Sequence, residues 1–230
     1  MDKKIIAHRG VFDNKKIIEN TKEAFLEAIN NNYSFELDVQ LTKDNKLIVF
    51  HDDNLKRLCN VNKNIKNCLY DEINSLNLFN SNSYIPLFNE ILKLNNDRMF
   101  IDIEVKPTNR VRDTITILMN ELSNYNNYSI KSFDPRIVRY IRMNYPNVYT
   151  GLLVDYKYKN IMYNYLLHSK FIINYSKCQF LSISEKLLND KKYMKIINNY
   201  PISIWTINDI SSVNYDGDYT YICNNLPFIK

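Results

Sequence analysis

Short apolar runs alternate with amphipathic helical stretches along almost the whole chain, and this alternation restricts the fold more than any other feature. Strand-like runs lie at 4–7, 34–41, 47–50, 99–105, 129–133, 149–154, 180–184, 202–206 and 219–223. Helical periodicity falls at 21–31, 88–94, 111–122, 135–145, 161–167 and 191–199. Asn20 or Thr21 can cap the first helix, and Pro135 suits the first turn of another. Such alternation implies a parallel sheet, and about eight strand units in 230 residues suit a closed α/β TIM barrel, (β/α)8. An open doubly wound sheet would also alternate, but no GxGxxG or GxxxxGK[ST] motif supports a nucleotide-binding version. Residues from about 53 to 85 are polar and weakly periodic, with one short helical piece near 70–78. The expectation is one domain, 1–230, with an insertion at about 53–85 after the second barrel strand.

Composition removes several function classes. No run of 18 apolar residues exists, so stable membrane insertion is not expected. The first residues turn polar before any apolar segment develops, and Cys59, Cys68, Cys178 and Cys223 show no CxxC spacing. A cytoplasmic protein with reduced thiols is the expectation. The net charge of +5 is spread along the chain rather than gathered in a stripe, so no nucleic-acid partner is expected. Glycine is scarce, at 3 residues, against 35 asparagines. Asparagine is therefore expected at many left-handed turn positions. That scarcity singles out Gly10, directly after His8-Arg9, as a position where a side chain is expected to be excluded.

Polar residues interrupt the apolar strands in particular places. His8 and Arg9 end the first strand, His51 follows the run 47–50, and Glu104 and Lys106 end the strand 99–105. In a barrel, groups at strand C-terminal ends converge on one mouth. Glu36 and Asp38, at i and i+2, share a face. They are either the solvent face of an edge strand or, with Glu104, an all-oxygen site for one divalent cation, Mg²⁺ or Ca²⁺. His8 and His51 suit a general acid and a general base, or purely structural roles. Arg9 and Lys106 can hold an anion, or simply pair with the carboxylates.

The segments Ile5-Ile6-Ala7-His8-Arg9-Gly10, Glu19-Asn20-Thr21, Glu36-Leu37-Asp38-Val39-Gln40-Leu41-Thr42-Lys43-Asp44 and Val49-Phe50-His51-Asp52 resemble the glycerophosphodiester phosphodiesterase family. Ile103-Glu104-Val105-Lys106, Ser132-Phe133-Asp134-Pro135 and Trp205-Thr206-Ile207-Asn208-Asp209 follow in family order, so the resemblance covers the chain. It implies a TIM barrel with a small insertion after its second strand. It implies metal ligation by Glu36, Asp38 and Glu104, acid–base catalysis by His8 and His51, and phosphate binding by Arg9 and Lys106. Trp205 and Phe133 would line the substrate pocket. The implied reaction is metal-dependent hydrolysis of a small-molecule glycerophosphodiester to sn-glycerol 3-phosphate and an alcohol.

The resemblance has departures. Ile18 stands where the family often has Pro, and Tyr221-Ile222-Cys223-Asn224-Asn225 replaces a common Gly-Ile-Ile-Thr-Asp stretch. Two alternatives remain beside the leading one. The first is a phospholipase D-like or cyclising phosphodiesterase acting on lysophospholipids. The second is a catalytically silent binding barrel.

Overall fold

The computed structural model describes residues 4–79, 81–157, 168–209, 211 and 217–226. Its parallel strands are β1 (Lys4–Ala7), β2 (Ser34–Leu41), β4 (Ile101–Val105), β5 (Tyr128–Ser132), β6 (Thr150–Val154), β7 (Phe180–Ser184), β8 (Ile202–Ile207) and β9 (Tyr219–Cys223). Each pairs with the next in that order, and β9 returns to β1, so eight strands close into a barrel. The short β3 (Leu47–Val49) runs antiparallel to the far end of β2, beyond where β1 stops.

The strands are buried on both faces, which is why most read as apolar runs. Phe35, Leu37 and Val39 of β2 and Ile101, Ile103 and Val105 of β4 face the surrounding helices within one core cluster. The alternate positions point into the barrel, where register sets Glu36 beside Asp102 and Asp38 beside Glu104. The next strand continues both rows, with Ser129 beside Asp102 and Lys131 beside Glu104.

The outer helices are α1 (Lys22–Asn30), α4 (Phe88–Asn95), α5 (Val111–Glu121), α6 (Pro135–Asn144), α7 (Lys170–Ser176) and α8 (Lys191–Ile197), numbered along the chain. Helix α1 starts where the Thr21 hydroxyl accepts from the Ala24 N–H, and it buries Ala24, Phe25, Ala28 and Ile29. Phe25 meets Phe35 of β2 with ring centroids 4.8 Å apart. Helix α6 is capped by the Asp134 carboxylate, with Pro135 in its first turn.

Between β3 and α4 the chain leaves the barrel and builds α2 (Lys56–Cys59), a 3₁₀ turn (Ile65–Asn67) and α3 (Tyr70–Asn74). These pieces share a small core of their own, with Ile18, Ile48, Phe50, Leu55, Leu58, Ile65, Ile73 and Ile85 all buried. Helix α2 has no counterpart in the sequence expectation, because four residues are too few to show a period. The helix expected at 161–167 lies outside the described residues. His168 stands in the turn before α7 rather than inside a helix, because Ser169 caps α7 by accepting from the Ile172 N–H.

Asparagine does take the left-handed positions. Among the described non-glycine residues with positive φ are Asn14, Asn20, Asn32, Asn45, Asn60, Asn96 and Asn225. Gly10 has a packing reason to lack a side chain. At φ +84°, a Cβ there would lie 2.7 Å from the Ala24 carbonyl carbon, so it is the approach of α1 that excludes a side chain.

Candidate active site

The carboxylates of Glu36, Asp38 and Glu104 converge, each with a ligand atom within 4.8 Å of the others. All three are buried, which excludes the solvent face of an edge strand. Burial and the adjacent Asp38 charge push the Glu36 carboxyl well above the usual carboxylate range. Burial alone would also raise Asp38, but Lys106 and Arg9 outweigh it and hold that carboxyl far below the usual range. Three oxygen donors on two rigid strands, with one carboxyl resisting ionisation for want of positive charge, fit a hard divalent cation.

Cationic side chains border the cluster. Lys106 Nζ lies 2.7 Å from Glu104 Oε1 and 3.3 Å from Asp38 Oδ1, and these charges raise its pKa against the effect of burial. Arg9 has a left-handed backbone, φ 57°, and its N–H donates to Glu36 Oε2 at 3.0 Å. Its side chain reaches Glu19 through Nη1 at 2.7 Å and faces Asp38 through Nε at 3.4 Å. That buried Nε makes no hydrogen bond among the described residues, so its link to Asp38 is electrostatic.

The segment 19–21 ties these groups down. Glu19 takes Arg9, the Asn20 side-chain NH₂ donates to Asp38 Oδ2 at 2.8 Å, and Thr21 caps α1. Burial would raise the Glu19 carboxyl, but hydrogen bonds from Arg57 and the charge of Arg9 draw it down to about 2.

The two histidines sit in different surroundings. His8 is nearly enclosed, with Nδ1 2.7 Å from Asn224 Oδ1 and Nε2 4.0 Å from Glu36 Oε2. Burial and the Arg9 charge lower its pKa to about 3, so its imidazole is neutral near pH 7. As a neutral ring whose Nδ1–H donates to Asn224, it leaves the Nε2 lone pair free. His51 is more open, and its Nδ1 lies 2.6 Å from Asp52 Oδ1. Asp52 is held in turn by Arg57 Nε at 2.6 Å.

Two further pairs complete the interior. Lys131 Nζ lies 2.6 Å from Asp102 Oδ2, and the same ammonium acts electrostatically on Glu36 and Glu104. Phe133 follows β5, and its ring meets Trp205 of β8 edge-on at 5.6 Å, while Trp205 Nε1 donates to the Ser182 carbonyl. The structure thus brings together the three carboxylates with Arg9, Lys106 and His8, and joins Phe133 to Trp205. Asp52, Arg57, Lys131, Asp102 and Asn224 have no role in the sequence expectation. A lone lysine in the strand Tyr128–Ser132 and an acid two residues before Glu104 were the available signals for the buried pair.

The sequence profile of the glycerophosphoryl diester phosphodiesterase family matches residues 8–221. The chain is 34% identical over 161 residues to a protein of Caldanaerobacter subterraneus subsp. tengcongensis named glycerophosphodiester phosphodiesterase. The match covers 65% of each protein, just under two thirds of that relative's length. A crystal structure of a glycerophosphodiester phosphodiesterase from Parabacteroides distasonis superposes with a TM-score of 0.77 at 21% identity, covering 96% of this chain and 92% of the other. A phosphodiesterase of Oleispira antarctica, solved in complex with the product sn-glycerol-3-phosphate, gives a TM-score of 0.77 at 21% identity, over 95% and 92%. At these identities the two structures establish the common barrel.

Proposed function

The chain belongs to the glycerophosphoryl diester phosphodiesterase family, and on that premise we propose that it hydrolyses glycerophosphodiesters to sn-glycerol 3-phosphate and a free alcohol such as choline or ethanolamine. One observation carries this reading: three buried carboxylates from adjacent strands lie against Arg9 and Lys106, with His8 beside them.

Glu36, Asp38 and Glu104 would hold one divalent cation, Mg²⁺ or Ca²⁺. When bound, that cation supplies positive charge where negative charge builds up on the phosphoryl group. Arg9 and Lys106 add two fixed positive charges for the phosphate. His8, neutral near pH 7 with its Nε2 lone pair free, takes the proton from the attacking hydroxyl, either water or the neighbouring glycerol hydroxyl, whose cyclic phosphate a water then opens to glycerol 3-phosphate. His51, whose Nδ1 lies 2.6 Å from the Asp52 carboxylate, gives a proton to the leaving alkoxide. Phe133 and Trp205 offer an apolar wall for the glycerol carbons.

The charge balance favours a diester. Glu36, Asp38, Asp102 and Glu104 face Arg9, Lys106 and Lys131, while Arg57 and the proton-carrying His51 offset Glu19 and Asp52. A divalent cation with a singly charged diester brings the interior to neutrality, whereas a doubly charged monoester leaves an excess of negative charge.

The test is release of glycerol 3-phosphate from glycerophosphocholine and glycerophosphoethanolamine with Mg²⁺ or Ca²⁺. Activity is expected to vanish with EDTA and in His51→Ala. Release of no glycerol 3-phosphate from either substrate, or activity indifferent to both treatments, overturns the proposal.

A further inference from the structure

Arg57, on the short helix α2, grips two carboxylates at once. Its Nε and Nη2 reach Asp52 at 2.6 and 3.0 Å, and its Nη1 and Nη2 reach Glu19 at 3.0 and 2.7 Å. Asp52 is the partner of His51, and Glu19 is the partner of Arg9. One guanidinium therefore joins the proposed proton donor to the proposed phosphate ligand, through a chain running His51–Asp52–Arg57–Glu19–Arg9.

We infer that Arg57 is a positioning residue for both. This inference rests on the proposed activity, and it adds a role that belongs to the excursion rather than to the barrel. The chemistry suits arginine alone among side chains. Its planar fork presents donors on two edges, so each carboxylate receives two hydrogen bonds in fixed geometry. A lysine ammonium can neutralise one carboxylate but cannot hold two planes in register. Held by Arg57, Asp52 presents Oδ1 to His51 Nδ1, which fixes the Nδ1 proton on that side of the ring and leaves Nε2 as the nitrogen that delivers a proton to the leaving group. Held by the same group, Glu19 keeps its Oε1 aligned on Arg9 Nη1.

The arrangement also explains why α2 exists. Leu58 is buried in the satellite core and Asn60 ends the helix in a left-handed conformation, so four residues suffice to fix where Arg57 leaves the backbone. The Arg57 side chain is 41% exposed, so a substitution there leaves a solvated gap rather than a buried cavity. Glu19 retains Asn14 and Arg9 as partners without it.

The chain has only three histidines, so ¹⁵N-histidine labelling gives a resolvable spectrum, with His51 assigned from His51→Gln. At alkaline pH, wild-type His51 is expected as the Nδ1–H tautomer alone. Arg57→Met is expected to mix its tautomers while His8 and His168 stay unchanged. It should also lower kcat/KM for glycerophosphocholine about ten- to a hundredfold, with kcat falling and KM rising together. Arg57→Lys should recover part of KM but little of kcat, and Arg57→Met combined with Asp52→Asn should be no worse than Asp52→Asn alone in kcat. Lys63→Met, which breaks only a surface pair with Glu72 in the same excursion, should leave spectrum and kinetics as in the wild type. Unchanged His51 resonances with kinetics within twofold in Arg57→Met, or equal effects from Lys63→Met, overturn the inference. If the wild type releases no glycerol 3-phosphate yet His51 shifts as described, the positioning role stands and the proposed activity fails.

Discussion

Lys131 and Asp102 form an ion pair of 2.6 Å within the barrel, with side chains only 2% and 4% exposed. Ser129 Oγ donates to the other Asp102 oxygen at 2.6 Å, so the carboxylate is satisfied on both sides. Asp102 stands in register with Glu36, and Lys131 with Glu104. It places a fixed positive charge among the carboxylates of the candidate metal site. Removing one partner leaves an uncompensated buried charge, whereas removing both does not. Lys131→Met should therefore cost about 3–5 kcal/mol, and adding Asp102→Asn should restore much of it. Chemical denaturation of both variants checks this. A double variant as unstable as Lys131→Met would show that packing rather than charge pairing holds this layer.

Cation binding should be readable without any substrate. In calorimetric titration the wild type should bind Mg²⁺ or Ca²⁺ once, and Glu104→Gln and Asp38→Asn should weaken binding about tenfold or more, since ligand charge sets affinity. A cation at about 100 times its Kd stabilises the folded chain by roughly 2.7 kcal/mol, so the wild-type thermal midpoint should rise with added cation. The same addition should stabilise a tenfold weaker variant by only about half as much, roughly 1.4 kcal/mol. A wild-type midpoint indifferent to both cations, together with no heat of binding, would remove the metal from the mechanism.

How far the sequence carried depended on whether a feature was local. The alternation of Phe35, Leu37 and Val39 with Glu36 and Asp38 shows in any strand drawing, and it set both core and carboxylates correctly. That Glu36 and Asp38 are buried needed the neighbouring β4, whose register places Glu104 beside Asp38. Arg57 stayed hidden because α2 is too short to have a period and its partners, Glu19 and Asp52, lie on separate loops. Asn224 is invisible for the same reason, as it meets His8 from the opposite end of the chain. Phe133 and Trp205 entered through family resemblance, and only barrel closure shows that their rings touch.

Gly10 should tolerate no side chain. Its φ of +84° disfavours L residues, and an added Cβ would meet the Ala24 backbone at 2.7–2.8 Å. Helix α1 is anchored by Phe25 on β2, so the contact is not easily relieved. Gly10→Ala should cost roughly 2–4 kcal/mol, summing strain and overpacking. It should also disturb Arg9 next to it and lower kcat/KM. Guanidinium denaturation alongside kinetics measures both, and a variant as stable as the wild type would show that α1 can slide.

Glu121, at the end of α5, should make stability fall with pH. Its carboxyl is raised from 4.5 to about 7 by burial, and its Oε2 has no hydrogen-bond partner among the described residues. As an anion it would also face the negative end of the helix dipole. Between pH 4.5 and about 7, the folded chain keeps a proton that the unfolded chain has lost, so stability attributable to this group declines through that window. The full shift would correspond to about 3 kcal/mol, but the side chain is partly exposed and solvent screening reduces this to about 1 kcal/mol. Glu121→Gln should therefore raise the thermal midpoint by about 2–4 °C at pH 8. It should change little at pH 4, where both side chains are neutral. Midpoints measured from pH 4 to 8 for the two proteins decide the matter, since parallel curves would mean that Glu121 ionises in the folded chain as it does in water.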